Sequence, residues 1–296
     1  MKLLSVVIIT CNREETIIGT IESCNNNINM NWELIVVENN SKDQTERKVK
    51  KFCEANDIQL EYIKNKTNLG VAGARVQGYN QARGEIVYFI DDDAIVLGKG
   101  NCIDEAYEYL LNSDEVQALS NKIDDTLYGG ILPEIVEYDG KMENGVDLRS
   151  FIGCSHFLKK GNVLPEPLYP LNLFYGAEEI YLSYYIHAAG KRIEYYDKIN
   201  ILHTPSPNAR TSEYEKEVNK QLNWYIVIKY IYPKNYFIVT HILFGIRMIK
   251  LTKFNIKKLF GVYKVFKNRY DEKYIKRISN KSMKNIWHKF NWRYLI

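Results

Sequence analysis

The first hundred residues alternate between β-branched apolar runs and helix-patterned segments, and this alternation limits the chain to few architectures. Leu4–Thr10 is a β-branched run, after which Ile17, Ile18 and Ile21 recur at helical spacing. Glu33–Glu38 is a second apolar run. Ser41-Lys42-Asp43-Gln44 fits a capping box that opens a polar helix reaching about Ala55. Ile58–Ile63, Val71–Arg83 and Glu85–Ile90 read as strand, helix and strand. Nearly continuous apolar strands separated by helices predict an α/β fold with a mostly parallel central sheet covered on both faces. Ligands of such sheets bind beyond the carboxyl ends of the strands. Three polar clusters fall at those ends: Thr10-Cys11-Asn12-Arg13, Glu38-Asn39-Asn40-Ser41 and Asp91-Asp92-Asp93.

Later segments are less regular. From Leu119 to Phe157 the apolar runs are broken by Gly129-Gly130, Pro133 and Gly145, which predicts irregular strands and loops. Glu178–Ala189 has helical spacing with Gly190 as its stop, and Arg192–Tyr196 and Ile199–Leu202 read as two short strands. Pro205-Ser206-Pro207 is a loop, and a helix runs from Ser212 to Ile231, where Pro233 ends it. Aromatics at 13% argue against a disordered chain. Five scattered cysteines without a CxxC pair argue against a disulfide scaffold and for a reducing cytoplasm. Met1-Lys2 and apolar Leu3–Ile9 look like a secretory leader, but Asn12-Arg13-Glu14-Glu15 follows without a small-residue cleavage site, so a buried strand is expected. No apolar stretch approaches the roughly 18 residues of a membrane span.

Asp91-Asp92-Asp93 directly follows an apolar strand. Adjacent carboxylates repel one another, and crowding them at a strand terminus is costly unless a cation or donor groups compensate. Oxygen ligands suit Mg²⁺ or Mn²⁺, which bind one or two carboxylates together with substrate phosphates. A solvated acidic turn is the plainer alternative.

Several segments, in order, resemble glycosyltransferase family 2, whose enzymes have the GT-A fold and invert the anomeric centre. Val6–Glu14 (VVIITCNRE) is similar to the family's opening strand and turn, and Leu34–Thr45 (LIVVENNSKDQT) to its base and ribose segment. Asn68–Ala94 is similar to the stretch ending in the family's DXD motif, Gly176–Gly190 to its acceptor-side motif, and Ile201–Pro207 to its late histidine. The resemblance implies Asp93, Asp91 and His203 as metal ligands for Mn²⁺ or Mg²⁺. It implies Thr10, Asn12, Arg13, Glu38, Asn40, Asn68, Gly70, Arg75, Asp91 and Asp92 as nucleotide-sugar contacts. Glu38 stands where the family more often has Asp. Glu179 takes the position of the catalytic base, with Glu178 in reserve on the acceptor side, and Arg210 is a further phosphate-contact candidate. Each has a structural alternative: a solvated helix charge for Arg75, helix packing for Gly70 and Gly73, capping for Glu178 and Glu179, a structural imidazole for His203. His156, His187, His241 and His288 are expected to be structural or surface residues.

The formal net charge of +4 conceals a division. From Tyr232 onward 16 lysines and arginines face two acids, whereas residues 1–231 carry 24 basic and 34 acidic side chains. The expected arrangement is a GT-A domain over 1–231, with a nucleotide-sugar half to about 115 and an acceptor half beyond it. A basic amphipathic helical extension over 232–296 follows. In that extension Ile256, Leu259, Phe260, Tyr263 and Phe266 are expected on one helical face, suited to an anionic membrane surface or to packing, with a homodimer as another use and no nucleic acid partner. The implied activity is metal-dependent transfer from a UDP- or dTDP-linked sugar to a saccharide, lipid-linked or cell-envelope acceptor, at the inner face of the plasma membrane. A sugar-phosphate nucleotidyltransferase is a rival, but such enzymes present a Gly-rich GxGTR-type loop where this chain has TCNREE. A non-catalytic nucleotide-sugar-binding module is the other.

Overall fold

The computed structural model describes residues 2–290 apart from 99, 128, 132–143 and 206–212. Four parallel strands, β1 (Leu4–Thr10), β2 (Trp32–Glu38), β3 (Leu60–Lys64) and β4 (Ile86–Asp91), lie in the order β3-β2-β1-β4. Their register places Thr10 beside Glu38 and Ile9 beside Asp91, so the three polar clusters end at one level. The strands are apolar throughout because both faces are covered. Val6, Ile8, Tyr88 and Ile90 pack on one side with α1 (Ile17–Asn25), α2 (Thr45–Ala55) and α4 (Cys102–Leu111). Val7, Val87 and Phe89 pack on the other with α3 (Gly70–Gln81), α5 (Glu178–Ala188) and α6 (Glu213–Ile231).

Beyond β4 the sheet becomes mixed, which corrects the mostly parallel expectation for that half. The turn at Asp92 and Asp93 leads into β5 (Ala94–Leu97), which pairs antiparallel with β9 (Arg192–His203) at the far edge. Between them the sheet is filled by β6 (Val116–Asp125), with β7 (Gly129–Ile131) beside it, and by β8 (Ser155–Lys159), antiparallel to both β4 and β6. β9 is one strand, not two. Its pairing with β6 skips from Tyr196 to Asn200, an irregularity that absorbs the break in the apolar pattern.

Two local expectations change. α2 begins at Thr45, and its entry is organised by Asp43, whose carboxylate accepts from the backbone N–H and hydroxyl of Thr45; Ser41 instead accepts from the Asn12 N–H. The carboxy-terminal region forms α7 (Phe237–Leu251), α8 (Ile256–Arg269) and α9 (Asn280–Phe290), whose Met248, Val262, Met283, Ile286 and Phe290 join the core on the α5 and α6 side. The single apolar face expected on α8 is split. Val262 is buried and Leu259 and Phe266 pack against the core, whereas Ile256 (81% exposed), Phe260 (70%) and Tyr263 point outward, roughly a quarter turn away at 100° per residue. An apolar stripe this wide cannot be covered by one packing contact.

Candidate active site

The carboxyl ends of β1, β2 and β4 and the start of α5 converge on one cleft. At its floor lies Arg75 on α3, 3% exposed, whose guanidinium joins groups far apart in sequence. Nη1 is 3.3 Å from Glu178 Oε1 and 3.4 Å from Glu179 Oε1, while Nη2 is 3.4 Å from Asp91 Oδ1 and donates to the Gly153 carbonyl at 2.8 Å. Burial alone would lower the Arg75 pKa, but Asp91, Glu179 and Glu178 together raise it, so the cation is fixed. The structure places Arg75 beneath the carboxylates of Asp91, Glu178 and Glu179.

The two glutamates differ. Glu178, with 2% of its side chain exposed, is pushed up to about 8 by burial and then by Glu179. Its Oε2 has no hydrogen-bond partner among the described residues. Glu179 keeps 22% of its side chain open to the cleft. Gly153 explains how it is held: a Cβ there would fall 2.1 Å from Glu179 Oε1 and 2.9 Å from Arg75 Nη2, so only glycine leaves room for the pair. The peptide preceding α5 turns through left-handed Gly176 and Ala177, which sets the angle at which both glutamates enter.

Across the cleft the aspartates are individually countered. Asp91, with 38% of its side chain still meeting the cleft, is pushed up to about 6 by burial and by Asp93, against the pull of Arg75. Burial and Asp93 push Asp92 up to about 7, opposed by the Thr10 hydroxyl and Arg13. Arg13 Nε lies 3.4 Å from Asp92 Oδ1, and its Nη2 is 3.8 Å from Asp93 Oδ2. His203 Nε2 sits 3.2 Å from Asp93 Oδ1, and its Nδ1 is 2.8 Å from Asp125 Oδ2. Burial opposes its protonation, yet Asp93, Asp91 and Asp125 raise His203 to about 9. A carboxylate behind an imidazole that faces another carboxylate is an arrangement that orients a metal-ligating histidine. The donor set therefore fits a divalent cation, with Asp93, Asp91 and His203 as the residues that could hold it.

The remaining expected contacts line the rim with varied roles. Glu38 is buried, its Oε1 accepting from the Ser41 N–H at 2.9 Å and its Oε2 from the Tyr62 hydroxyl at 2.5 Å. Asn12 and Asn40 adopt left-handed backbone, and Asn12 Oδ1 accepts from the Lys42 N–H, which ties the first two polar loops together. Asn68 Oδ1 caps the Gly70 N–H at 2.8 Å. Gly70 is required by its φ of +74° and by the Phe174 backbone, 2.3 Å from where a Cβ would lie; the close approach is to the protein itself. Arg210 lies outside the described residues. His156 is buried and stacked on Phe89 and Phe151, in keeping with a structural role.

Residues 5–124 match the model of the family described as "Glycosyl transferase family 2". This stretch is a family 2 glycosyltransferase domain. The glycosyltransferase domain is 34% identical over 93 residues to an Escherichia coli protein named UDP-Glc:alpha-D-GlcNAc-diphosphoundecaprenol beta-1,3-glucosyltransferase WfgD, a match covering 31% of this chain and 36% of that one. It is 35% identical over 94 residues to the Campylobacter jejuni GalNAc(5)-diNAcBac-PP-undecaprenol beta-1,3-glucosyltransferase, over 31% of this chain and 30% of that one. The chain thus spans about a third of the length of these curated relatives. In fold it is similar to S. aureus TarS 1-349 (TM-score 0.57, 18% identity, 91% of this chain and 71% of that one). It is also similar to GalNAc-T7 solved with UDP, GalNAc and Mn²⁺ (TM-score 0.65, 14% identity, 98% and 58%). The architecture is the GT-A fold, with additional helices at the carboxy terminus.

Four residues in or beside the cleft escaped sequence reasoning. Asp125 ends β6, whose mixed sequence VQALSNKIDD lacks the continuous apolar run that marks Asp91. Gly153 and Cys154 lie in the irregular stretch before β8, where no periodicity marks them. Tyr62 sits on β3 with nothing in the sequence to pair it with Glu38.

Proposed function

We propose that this chain transfers a hexose, with inversion, from a UDP- or dTDP-linked donor to a hydroxyl of a lipid-linked saccharide. One observation carries the reading: the strand-end aspartates and the Glu179 carboxylate face each other across one cleft, locked at their base by Arg75. In this reading Glu179 takes the acceptor hydroxyl's proton as that oxygen bonds to the donor's anomeric carbon and the nucleoside diphosphate departs. Glu178, buried against Arg75, positions Glu179 through their shared guanidinium. Thr10, Asn12, Glu38 and Asn40 border the base and ribose, and Arg13, beside Asp92 and Asp93, contacts the phosphates. Mn²⁺ or Mg²⁺ bound by Asp93, Asp91 and His203 would offset the charge that develops on the leaving diphosphate.

The lipid-linked acceptor is supported by the relatives' names and by the surface of the carboxy-terminal helices. Ile238, Ile242 and Ile246 are exposed on α7, Ile256, Phe260 and Tyr263 on α8. Phe254, 80% exposed, sits in the left-handed joint between them. No described helix is long and apolar enough to cross a membrane. An exposed apolar rim among lysines suits the interface of an anionic bilayer, and we assign this surface to the inner leaflet that presents the acceptor. A panel of nucleotide sugars, screened for thermal stabilisation and for Mn²⁺-dependent transfer, tests the function. Stabilisation by one diphosphate donor is expected. Indifference to every nucleotide sugar, with or without metal, would overturn the reading.

A further inference from the structure

Cys154 lies where β8 begins, against the acidic turn. Its carbonyl accepts from the Asp91 N–H at 2.8 Å. Its thiol sulfur, an Asp91 carboxylate oxygen and a His203 ring nitrogen all lie within 4.8 Å of one another. The cysteine is 7% exposed, so the sulfur faces the cluster and not bulk water. Asp93 Oδ1, at 3.2 Å from His203 Nε2, adjoins the same cluster, while Asp125 holds the other ring nitrogen.

A sulfur donor is mismatched to Mg²⁺, which takes oxygen, and is tolerated rather than preferred by Mn²⁺. Thiolate, imidazole and carboxylate together form a set that suits a tetrahedral Zn²⁺-like ion. We propose that Cys154 makes this cluster a site for thiophilic divalent ions, Zn²⁺, Cd²⁺ and Co²⁺, which compete there with the cation that serves transfer. On binding, the Cys154 S–H bond breaks and a sulfur–metal bond forms, the proton passing to water. His203 releases its Nε2 proton to water in the same way, while Asp125 continues to accept from Nδ1. No electron is exchanged. The inference rests on reading the acidic turn as a cation site, and it is independent of which sugar donor is used.

Cobalt titration of the full chain is the test. Wild type is expected to develop a near-ultraviolet sulfur-to-cobalt charge-transfer absorption that saturates at one equivalent and is reversed by Zn²⁺ or Cd²⁺ but not by equimolar Mg²⁺. Cys154→Ser should lose that absorption and bind Zn²⁺ on the order of tenfold or more weakly. Zn²⁺ should also protect Cys154 of the unaltered chain from alkylation, read by peptide mass spectrometry, a measurement that needs no variant to fold. Cobalt bound without the sulfur absorption, the absorption surviving in Cys154→Ser, no cobalt bound, or equal alkylation with and without Zn²⁺ would each overturn the proposal. A chain that transfers sugar normally with Mn²⁺ but lacks the sulfur absorption loses this inference alone. One that shows the absorption but uses no nucleotide sugar loses the transfer reading alone.

Discussion

The cleft and the α7–α8 surface depart from ordinary folding economy in opposite directions. In the cleft, charge is gathered where water is scarce: Asp92, Asp93, Glu178 and Arg75 are all buried, and each is answered by a neighbour of opposite sign. On α7 and α8, large apolar side chains are left in water, with Ile238 74% exposed and Ile256 81%. Buried charge persists only where something compensates it, and exposed apolar surface persists only where something covers it. The first region holds its compensation largely within itself, through Arg75, Arg13 and His203. The second lacks a cover among the described residues, which is why its partner is sought outside the chain.

Breaking the cleft should have the larger effects. Asp93→Asn removes the carboxylate facing His203, and transfer is expected to fall on the order of 10²–10³-fold, with Mn²⁺ binding weakened in the same variant by calorimetry. Gly153→Ala leaves the strands intact but drives a methyl into the Glu179 carboxylate. A kcat about 10²-fold lower, with nucleotide affinity preserved, is the expected result, since small displacements of a reacting group cost that much. An unchanged kcat would show that Glu179 can move without consequence.

Breaking the other region should leave chemistry alone. Ile242→Glu together with Phe260→Glu places two charges on the exposed stripe. Sedimentation with anionic vesicles should drop several-fold while transfer to a soluble acceptor stays within about twofold. Equal loss on both acceptors would mean that the helices shape the cleft rather than meet a membrane.

The smallest effect is on stability. His203 holds its proton to about pH 9 in the folded chain, above its ordinary 6.5, so the folded state binds that proton more tightly than the unfolded one. The resulting stabilisation is complete below about 6.5 and is lost as pH rises toward 9. Glu178, raised to about 8 from 4.5, acts in the same direction between those values. In chelator, the melting temperature should fall by a few degrees from pH 6.5 to 9, and His203→Gln should flatten that slope. A slope unchanged in His203→Gln would remove the histidine from the account.

The contrast also marks what could be read from the sequence. The amino-terminal half was legible because β1, β2 and β4 are buried on both faces, and continuous apolar runs ending in polar clusters say so directly. That Asp91, Glu179 and His203 share one cleft was legible only through the family resemblance. Arg75 was legible as a candidate but not as the floor of the site, because its partners lie 16, 103 and 104 residues away. Gly153 acts by what it lacks, and no pattern announces a missing Cβ. On α8 the apolar residues were identified correctly, but their periodicity spans more than one face, and only packing decides which edge is buried.

In the proposed reaction Glu179 is the base of a sugar transfer at this cleft. Single-turnover transfer by wild type and Glu179→Gln, with UDP binding followed in the same samples, tests it most directly. The variant is expected to bind nucleotide as wild type does and to transfer on the order of 10²–10⁴-fold more slowly. Transfer at the wild-type rate by a variant with intact nucleotide binding would contradict it.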